Sequence, residues 1–283
     1  MIPAAFDYYA PTTVDEAVAL LGQHEDAKLL AGGQSLMPVL RLRLAAPEVV
    51  VDLGKVEELR GIREDGDALV VGAMTPHSVV AADPLVAEHA KLLALATATI
   101  ADPQVRHRGT FGGALVHADP AGDLPATAVA LGAEFVIAGP GGRRTVAAAD
   151  FFTDVFTTAV GEDEVLVEVR VPKHTGWGAH YEKFTRTAQQ WSIVGVAAAV
   201  RLDGGTVAEA RVALTNMAST PVRATAVEQA LVGGPATAEA VRAAAAQAAE
   251  GTSPPTDANG DGDYRKHLAT VLTRRAVLAA AGG

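Results

Sequence analysis

The 283-residue chain contains no cysteine. That absence removes disulfides, thiolate metal sites, iron–sulfur ligation and cysteine nucleophiles together, so any redox centre on this chain must be an organic cofactor. Basic charge is scarce as well. With 23 Lys and Arg against 33 Asp and Glu, the formal net charge is -10 and the pI about 5.2, the wrong sign for nucleic acid. No uninterrupted apolar run reaches the length of a membrane span, and residues 1–10 have neither the basic region nor the apolar centre of a signal peptide. A cytoplasmic protein with no membrane span is therefore expected. Aromatics are only 5% of residues while hydrophobic residues are 49%, so the core must rest on small aliphatic side chains, and the length suggests two domains.

Glycine is abundant, and its placement carries the first functional signal. Residues 27–31 form a short apolar run of strand type, and Leu36, Val39, Leu40 and Leu44 then recur at helical spacing. Between them stands Gly32-Gly33-Gln34-Ser35. Glycines there let the backbone take positive φ and bring its N–H groups up to a ligand. Ser35 is the expected N-cap, with Pro38 still inside the tolerated first turn, and a phosphate suits the positive end of the helix. An ordinary strand-to-helix turn fits the same residues, and the stretch is neither G-x-G-x-x-G nor a Walker loop.

A second glycine segment follows an apolar helical pattern over residues 84–101 that Asp102-Pro103 should end: Arg106-His107-Arg108-Gly109-Thr110-Phe111-Gly112-Gly113-Ala114. Thr110 offers a hydroxyl to a phosphate or sugar oxygen. Arg106 and Arg108 read either as phosphate partners or as part of a solvated basic loop. In His117-Ala118-Asp119-Pro120-Ala121-Gly122-Asp123, the proline and glycine make a turn, which argues against a metal site. Asp123 is a good N-cap for a helix over 126–131 and, functionally, an acceptor for a ligand hydroxyl.

Thr13 to Glu16 has capping-box spacing ahead of a helix ending near Gly22, and 47–53 and 68–71 read as buried strands. A hairpin is expected about residues 139–142, a strand over 164–171, a second hairpin through Asp203-Gly204-Gly205, and helices over 222–231, 236–249 and 264–281. Alternating strands and helices of this kind indicate an α/β or α+β fold. The run from Asp257 to Asp263 begins like an EF-hand loop, but its twelfth position is Leu268 instead of glutamate. An acidic loop whose Asp263 caps the final helix is expected in place of a calcium site.

Taken together, residues 31–36, residues 106–113 and residues 118–123 resemble the FAD-binding medium subunit of the molybdenum hydroxylases, the group that includes carbon monoxide dehydrogenase and the xanthine dehydrogenase family. The likeness extends through Thr220-Pro221-Val222-Arg223 and Tyr264-Arg265-Lys266-His267-Leu268 to Arg274-Arg275-Ala276. It implies a two-part FAD-binding domain of the PCMH (vanillyl-alcohol-oxidase-like) type over 1–174, and a small sheet-plus-helices domain over 175–283. It also implies that Ala31, Gly32, Gly33, Gln34, Ser35 and Leu36, with Thr110, Gly112, Gly113 and Ala114, bind FAD, with its pyrophosphate on Gly32 to Ser35 and on Thr110 to Ala114. Asp123 matches a flavin-contacting aspartate, Leu166 a residue beside the ring system, and Lys183 a lysine near the isoalloxazine. Trp191 stands where an aromatic covers the flavin in relatives, although a core tryptophan fits its sequence equally. Phe111 replaces the usual Ile or Val, Ala114 the usual Ser or Asn, and Gln34 a histidine seen in some carbon monoxide dehydrogenases.

The implied role is an electron-transfer subunit. A large molybdopterin subunit would oxidise substrate, a small iron–sulfur subunit would carry electrons, and FAD on this chain would pass them to an electron acceptor, in a dimer of heterotrimers. A cation such as Lys183 would favour reduced, anionic flavin. The molybdenum cofactor and the iron–sulfur clusters would lie on the partners. Two other function classes fit the residues: a stand-alone FAD-dependent reductase or oxidase, and a non-redox nucleotide-binding module.

Overall fold

Three larger sheets carry the chain, with a two-stranded ribbon of Phe152–Asp154 and Thr157–Thr158 beside them, and their strand patterns explain why each is placed as it is. A computed structural model describes residues 1–282. The first sheet is parallel, with Val49–Asp52 between Asp7–Tyr9 and Ala27–Leu30. The central strand is fully apolar until Asp52 and covered by the helix Val14–Gln23, whose Val14, Ala17, Val18 and Leu21 form one buried face. Thr13 caps that helix by accepting the Glu16 N–H at 3.1 Å, but Glu16 reaches back to the N–H of Thr12 at 2.7 Å, one residue earlier than a capping box requires.

The second sheet is antiparallel, in the order Ile62–Asp65, Ala68–Gly72, Val165–Pro172, Glu134–Gly139 and Gly142–Ala147. Its core gathers the few phenylalanines: Phe135 and Phe151 stack at 3.7 Å between ring centroids, and Phe152 meets both edge-on. The helical region expected over 84–101 is broken at Ala90, whose φ of -142° and ψ of 49° are not helical, into Pro84–His89 and Lys91–Ala98.

The third sheet is built on Gly178–Phe184, Val194–Asp203, Thr206–Thr215 and Val222–Arg223. Val194–Asp203 is buried on both faces as far as Val200, and the period of two sorts those residues by size. Val196, Ala198 and Val200 pack under the helices Thr225–Leu231, Ala238–Ala245 and Gly262–Ala280. Ala197 and Ala199, with Ala213 of the next strand, face the core that the second sheet shares with the helix Asp123–Leu131. Small side chains there let that helix approach the third sheet closely. Val222 and Arg223 form a short strand instead of opening a helix, and Asp261, not Asp263, caps the final helix by accepting the Tyr264 N–H at 2.8 Å. Among the described residues, no helix is long and apolar enough to cross a membrane.

Candidate functional site

A cleft of about 650 Å³ opens where the first two sheets meet the third, within the range of small-molecule and cofactor sites. Every site residue expected from the sequence lines it: Ala31, Gly32, Gly33, Gln34, Ser35, Leu36, Thr110, Gly112, Gly113, Ala114, Asp123, Leu166, Lys183 and Trp191.

The first glycine turn leaves the strand Ala27–Leu30 and enters the helix Leu36–Arg41. Gly33 has a φ of +76°, which a side chain would strain. Gly32 needs its missing Cβ for a different reason, because an added one would sit 2.7 Å from the Gly109 Cα. The two glycine segments are therefore in backbone contact. Among the described residues, the N–H groups of Gly33, Gln34, Ser35 and Leu36 have no acceptor within the chain. Ser35 is not the side-chain cap that was expected; its φ of -107° and ψ of -50° are helical and its hydroxyl makes no cap hydrogen bond. What remains is a run of free donors on a turn, a suitable cradle for an anion.

The second segment is helical where a loop was expected. Thr110 caps the helix Phe111–His117 by accepting the Gly113 N–H at 3.2 Å. The neighbouring N–H groups are also used: Phe111 donates to Thr75 O at 2.9 Å, Gly112 to Ala73 O at 2.8 Å and Ala114 to Thr110 O at 3.1 Å. Ala114 thus offers the cleft no free N–H. Gly112 lets the helix press on Ala73, since a Cβ there would lie 2.5 Å from the Ala73 Cβ. Arg106 and Arg108 belong to the helix Pro103–Arg108, not to a loop, and neither lines the cleft; Arg106 Nη1 donates to the Ile100 carbonyl at 2.7 Å.

Asp123 is not the N-cap expected of it. It is the first residue of Asp123–Leu131, with Gly122 in the cap position, and its carboxylate turns toward the third sheet. There Oδ1 accepts from the Tyr181 hydroxyl at 2.8 Å and the Ser192 hydroxyl at 2.7 Å, while Oδ2 accepts from Lys183 Nζ at 2.7 Å. Lys183 also donates to the Thr99 carbonyl at 3.2 Å. The side chains of Lys183 and Asp123 are 11% and 3% exposed, so this is a buried ion pair and not a solvated strand lysine. Burial, and then the Asp123 charge, raise the Tyr181 hydroxyl well above the usual tyrosine range, which keeps it a donor.

Sequence reasoning missed Tyr181 and Ser192. Tyr181 had a signal, because it lies two residues from Lys183 on Gly178–Phe184 and so leaves the strand on the same face. It also missed His77, which is 4% exposed, lines the cleft beside Gly109 and has no partner for Nδ1. Burial, helped by Arg106, lowers its pKa to about 4. Trp191 is 53% exposed on the cleft wall, so it is not a core tryptophan. Among the described residues, no group of His, Asp and Glu has the spacing of a metal site. In the acidic loop, Asp257 Oδ1 is taken by Arg265 Nη2 at 2.7 Å.

Two family models account for nearly the whole chain. The FAD binding domain in molybdopterin dehydrogenase matches residues 4–174, and the CO dehydrogenase flavoprotein C-terminal domain matches residues 179–280. The chain belongs to the FAD-binding medium subunits of the molybdenum hydroxylases. These medium subunits are oxidoreductase components, and the cofactor of this one is FAD. It is 48% identical to the carbon monoxide dehydrogenase medium chain of Hydrogenophaga pseudoflava, over 99% of this chain and 98% of that one. It is 35% identical to the nicotine 6-hydroxylase medium subunit of Paenarthrobacter nicotinovorans, over 98% and 97% of the two chains. Among solved structures, a chain of the Hydrogenophaga pseudoflava carbon monoxide dehydrogenase lacking the Mo-pyranopterin moiety of its cofactor matches with a TM-score of 0.97 and 49% identity, covering 100% of this chain and 99% of that one. Quinoline 2-oxidoreductase from Pseudomonas putida 86 matches with a TM-score of 0.96 and 36% identity, at the same coverage.

Proposed function

We propose that this chain is the electron-relay subunit of a heteromeric molybdenum-containing dehydrogenase, receiving electrons from an iron–sulfur subunit and passing them to an external acceptor. One observation carries the reading: in a chain without cysteine, a single cleft joins a run of unpaired N–H groups to the Lys183–Asp123 pair. When bound, FAD supplies reversible electron uptake and is the chain's only redox group.

The remaining work belongs to the protein. The N–H groups of residues 33–36 and the Thr110 hydroxyl hold the pyrophosphate, and Gly33 and Gly113 give the phosphates room. Leu166 and Trp191 would bound the ring system, and Lys183, held by Asp123 and the Thr99 carbonyl, would have one N–H left for it. In this proposal 1–174 provides the pyrophosphate site and 175–283 supplies Lys183 and Trp191. Substrate oxidation takes place on a large molybdopterin subunit, a small iron–sulfur subunit connects the two centres, and the assembly is a cytoplasmic dimer of heterotrimers.

A stand-alone reductase or oxidase needs a proton donor at the cleft. The nearby Ser192 hydroxyl is 1% exposed and already donates to Asp123, which favours relay. Expressed alone, the chain should bind FAD, lose its visible absorption on dithionite reduction and turn over no substrate. Coexpression with a molybdenum subunit and an iron–sulfur subunit should yield activity and one co-eluting assembly. Turnover of a small substrate by the isolated chain would replace relay with the stand-alone flavoenzyme.

A further inference from the structure

Trp191 is half exposed, yet the chain on both sides of it is tied down. On one side, Ser192 is held by Asp123, and Asn216 Nδ2 donates to the Ser192 and Ile193 carbonyls at 2.9 and 3.3 Å. On the other, Gln190 Oε1 accepts the N–H groups of Arg186 and Thr187 at 3.0 and 3.3 Å, and Gln190 Nε2 donates to Asn259 Oδ1 at 3.0 Å. Between them Gln189 has a φ of +67°, in the left-handed region, a conformation that surrounding contacts must maintain.

Asn259 is itself anchored. Its N–H donates to Asp257 Oδ1 at 2.7 Å, and the same oxygen accepts from Arg265 Nη2 at 2.7 Å. Arg265 is wholly buried in the final helix, and its Nη1 donates to the Ile193 carbonyl. The acidic loop therefore grips both flanks of Trp191, through Asn259 to Gln190 and through Arg265 to Ile193.

We propose that Asn259 is a positioning residue for the cleft: its hydrogen bond to Gln190 latches residues 186–191 so that Trp191 stands over the bound flavin and slows its release. The inference rests on the flavin reading of the cleft given above. It assigns the EF-like stretch a role in cofactor retention, with Asp257 spent on Arg265. Loss of one neutral hydrogen bond changes a population about 5-fold.

The test uses the full chain loaded with FAD, following flavin release by fluorescence after dilution, and iodide quenching of Trp191 in a Trp177→Phe background. Asn259→Ala should release flavin about 5-fold faster and leave Trp191 more accessible to iodide. Asn259→Asp keeps an acceptor oxygen for Gln190 and should restore both readouts. On a Trp191→Ala background, Asn259→Ala should add nothing. Wild-type release by Asn259→Ala, equal acceleration by Asn259→Asp, or undiminished acceleration without Trp191 would each overturn the latch. If the chain binds no FAD, the flavin reading itself fails. Quenching then decides the latch alone, and unchanged accessibility in Asn259→Ala rejects it.

Discussion

Asp123→Ala removes the carboxylate on which the polar groups of the cleft converge, and the structure sets the size of the effect. Lys183, 11% exposed, would keep only the Thr99 carbonyl as a protein acceptor. Deleting one partner of a buried ion pair costs about 3–5 kcal/mol, because the surviving charge is left uncompensated. Tyr181 retains Thr215 at 3.3 Å, but the Ser192 hydroxyl, 1% exposed, loses its acceptor. A buried hydroxyl left unpaired adds about 1–3 kcal/mol, so the lower bound for the variant is about 4 kcal/mol. That is several times the ~1 kcal/mol of a lost helix cap, and a large part of the ~5–15 kcal/mol by which domains are stable. Urea unfolding of the flavin-free chain measures it, provided the slope of the transition is unchanged. Asp123→Ala combined with Lys183→Met removes the orphaned ammonium and should recover part of the loss. If Asp123→Ala costs only about 1 kcal/mol, the scale of a cap, and Lys183→Met destabilises it further, the buried pair is not what holds the helix Asp123–Leu131 to the third sheet.

Gly33→Val should abolish FAD retention in a folded chain, because a β-branched residue resists a φ of +76° and its Cβ would crowd Met37 Cγ at 3.2 Å; Gly113→Val, with its Cβ 2.6 Å from Thr110 Oγ1, should lose flavin and also about 1 kcal/mol of capping. Stoichiometric flavin in both would refute the cradle. His77, lowered from 6.5 to about 4 by burial, binds its proton more readily unfolded, so stability should be full above pH 6.5 and fall as the pH drops toward 4, by about 3 kcal/mol in all. His77→Gln should flatten that window in a series of urea titrations, and an unchanged slope would clear His77 of the effect. Reversing Arg106 and Arg108 to glutamate should weaken co-elution with the partner subunits more than FAD binding, since neither side chain lines the cleft; equal losses, by gel filtration and flavin titration, would place these residues at the cofactor instead.

The residues expected from the sequence do line the cleft, while His77 on the same wall went unread and the reasons for several of the others were not local. Gly32 and Gly33 announced a turn and a close approach, but the partner in that approach is the backbone of Arg108 and Gly109, distant in sequence. Thr110 and the glycines after it read as a loop, because glycine disfavours helix. They are helical since their first N–H groups find acceptors at Ala73 and Thr75, which no local pattern reveals. Asp123 sat where a cap should be, and local reasoning stopped there. Its partners lie 58 to 69 residues further along, Tyr181 and Lys183 on one strand and Ser192 just before the next, so only the tertiary fold brings them round. The strands themselves were readable, because alternation and runs of valine are local. The break at Ala90 was not, since an apolar helical pattern continues through it.

The same pairing changes how the cleft acts electrically in the proposed role. The family resemblance implies a cation at Lys183 that favours an anionic reduced flavin. The structure supplies that cation with a carboxylate 2.7 Å away, more buried than the lysine itself, so the pair contributes no net charge to the cleft. A close pair of opposite charges acts at a distance as a dipole, and its influence on a neighbouring group depends on which end lies nearer. Lys183 lies on a strand of the third sheet and Asp123 at the start of a helix packed against it. Their order along the cleft wall is therefore set by the docking of helix on sheet and not by either residue alone. Tyr181 and Ser192 add two hydroxyl dipoles directed at Asp123, drawing negative charge toward the protein side and leaving the ammonium as the end less compensated by neighbours. The electrostatic character of the site is thus a product of packing. The alanines at 197, 199 and 213, which let the helix approach, are as much a part of it as the charged residues.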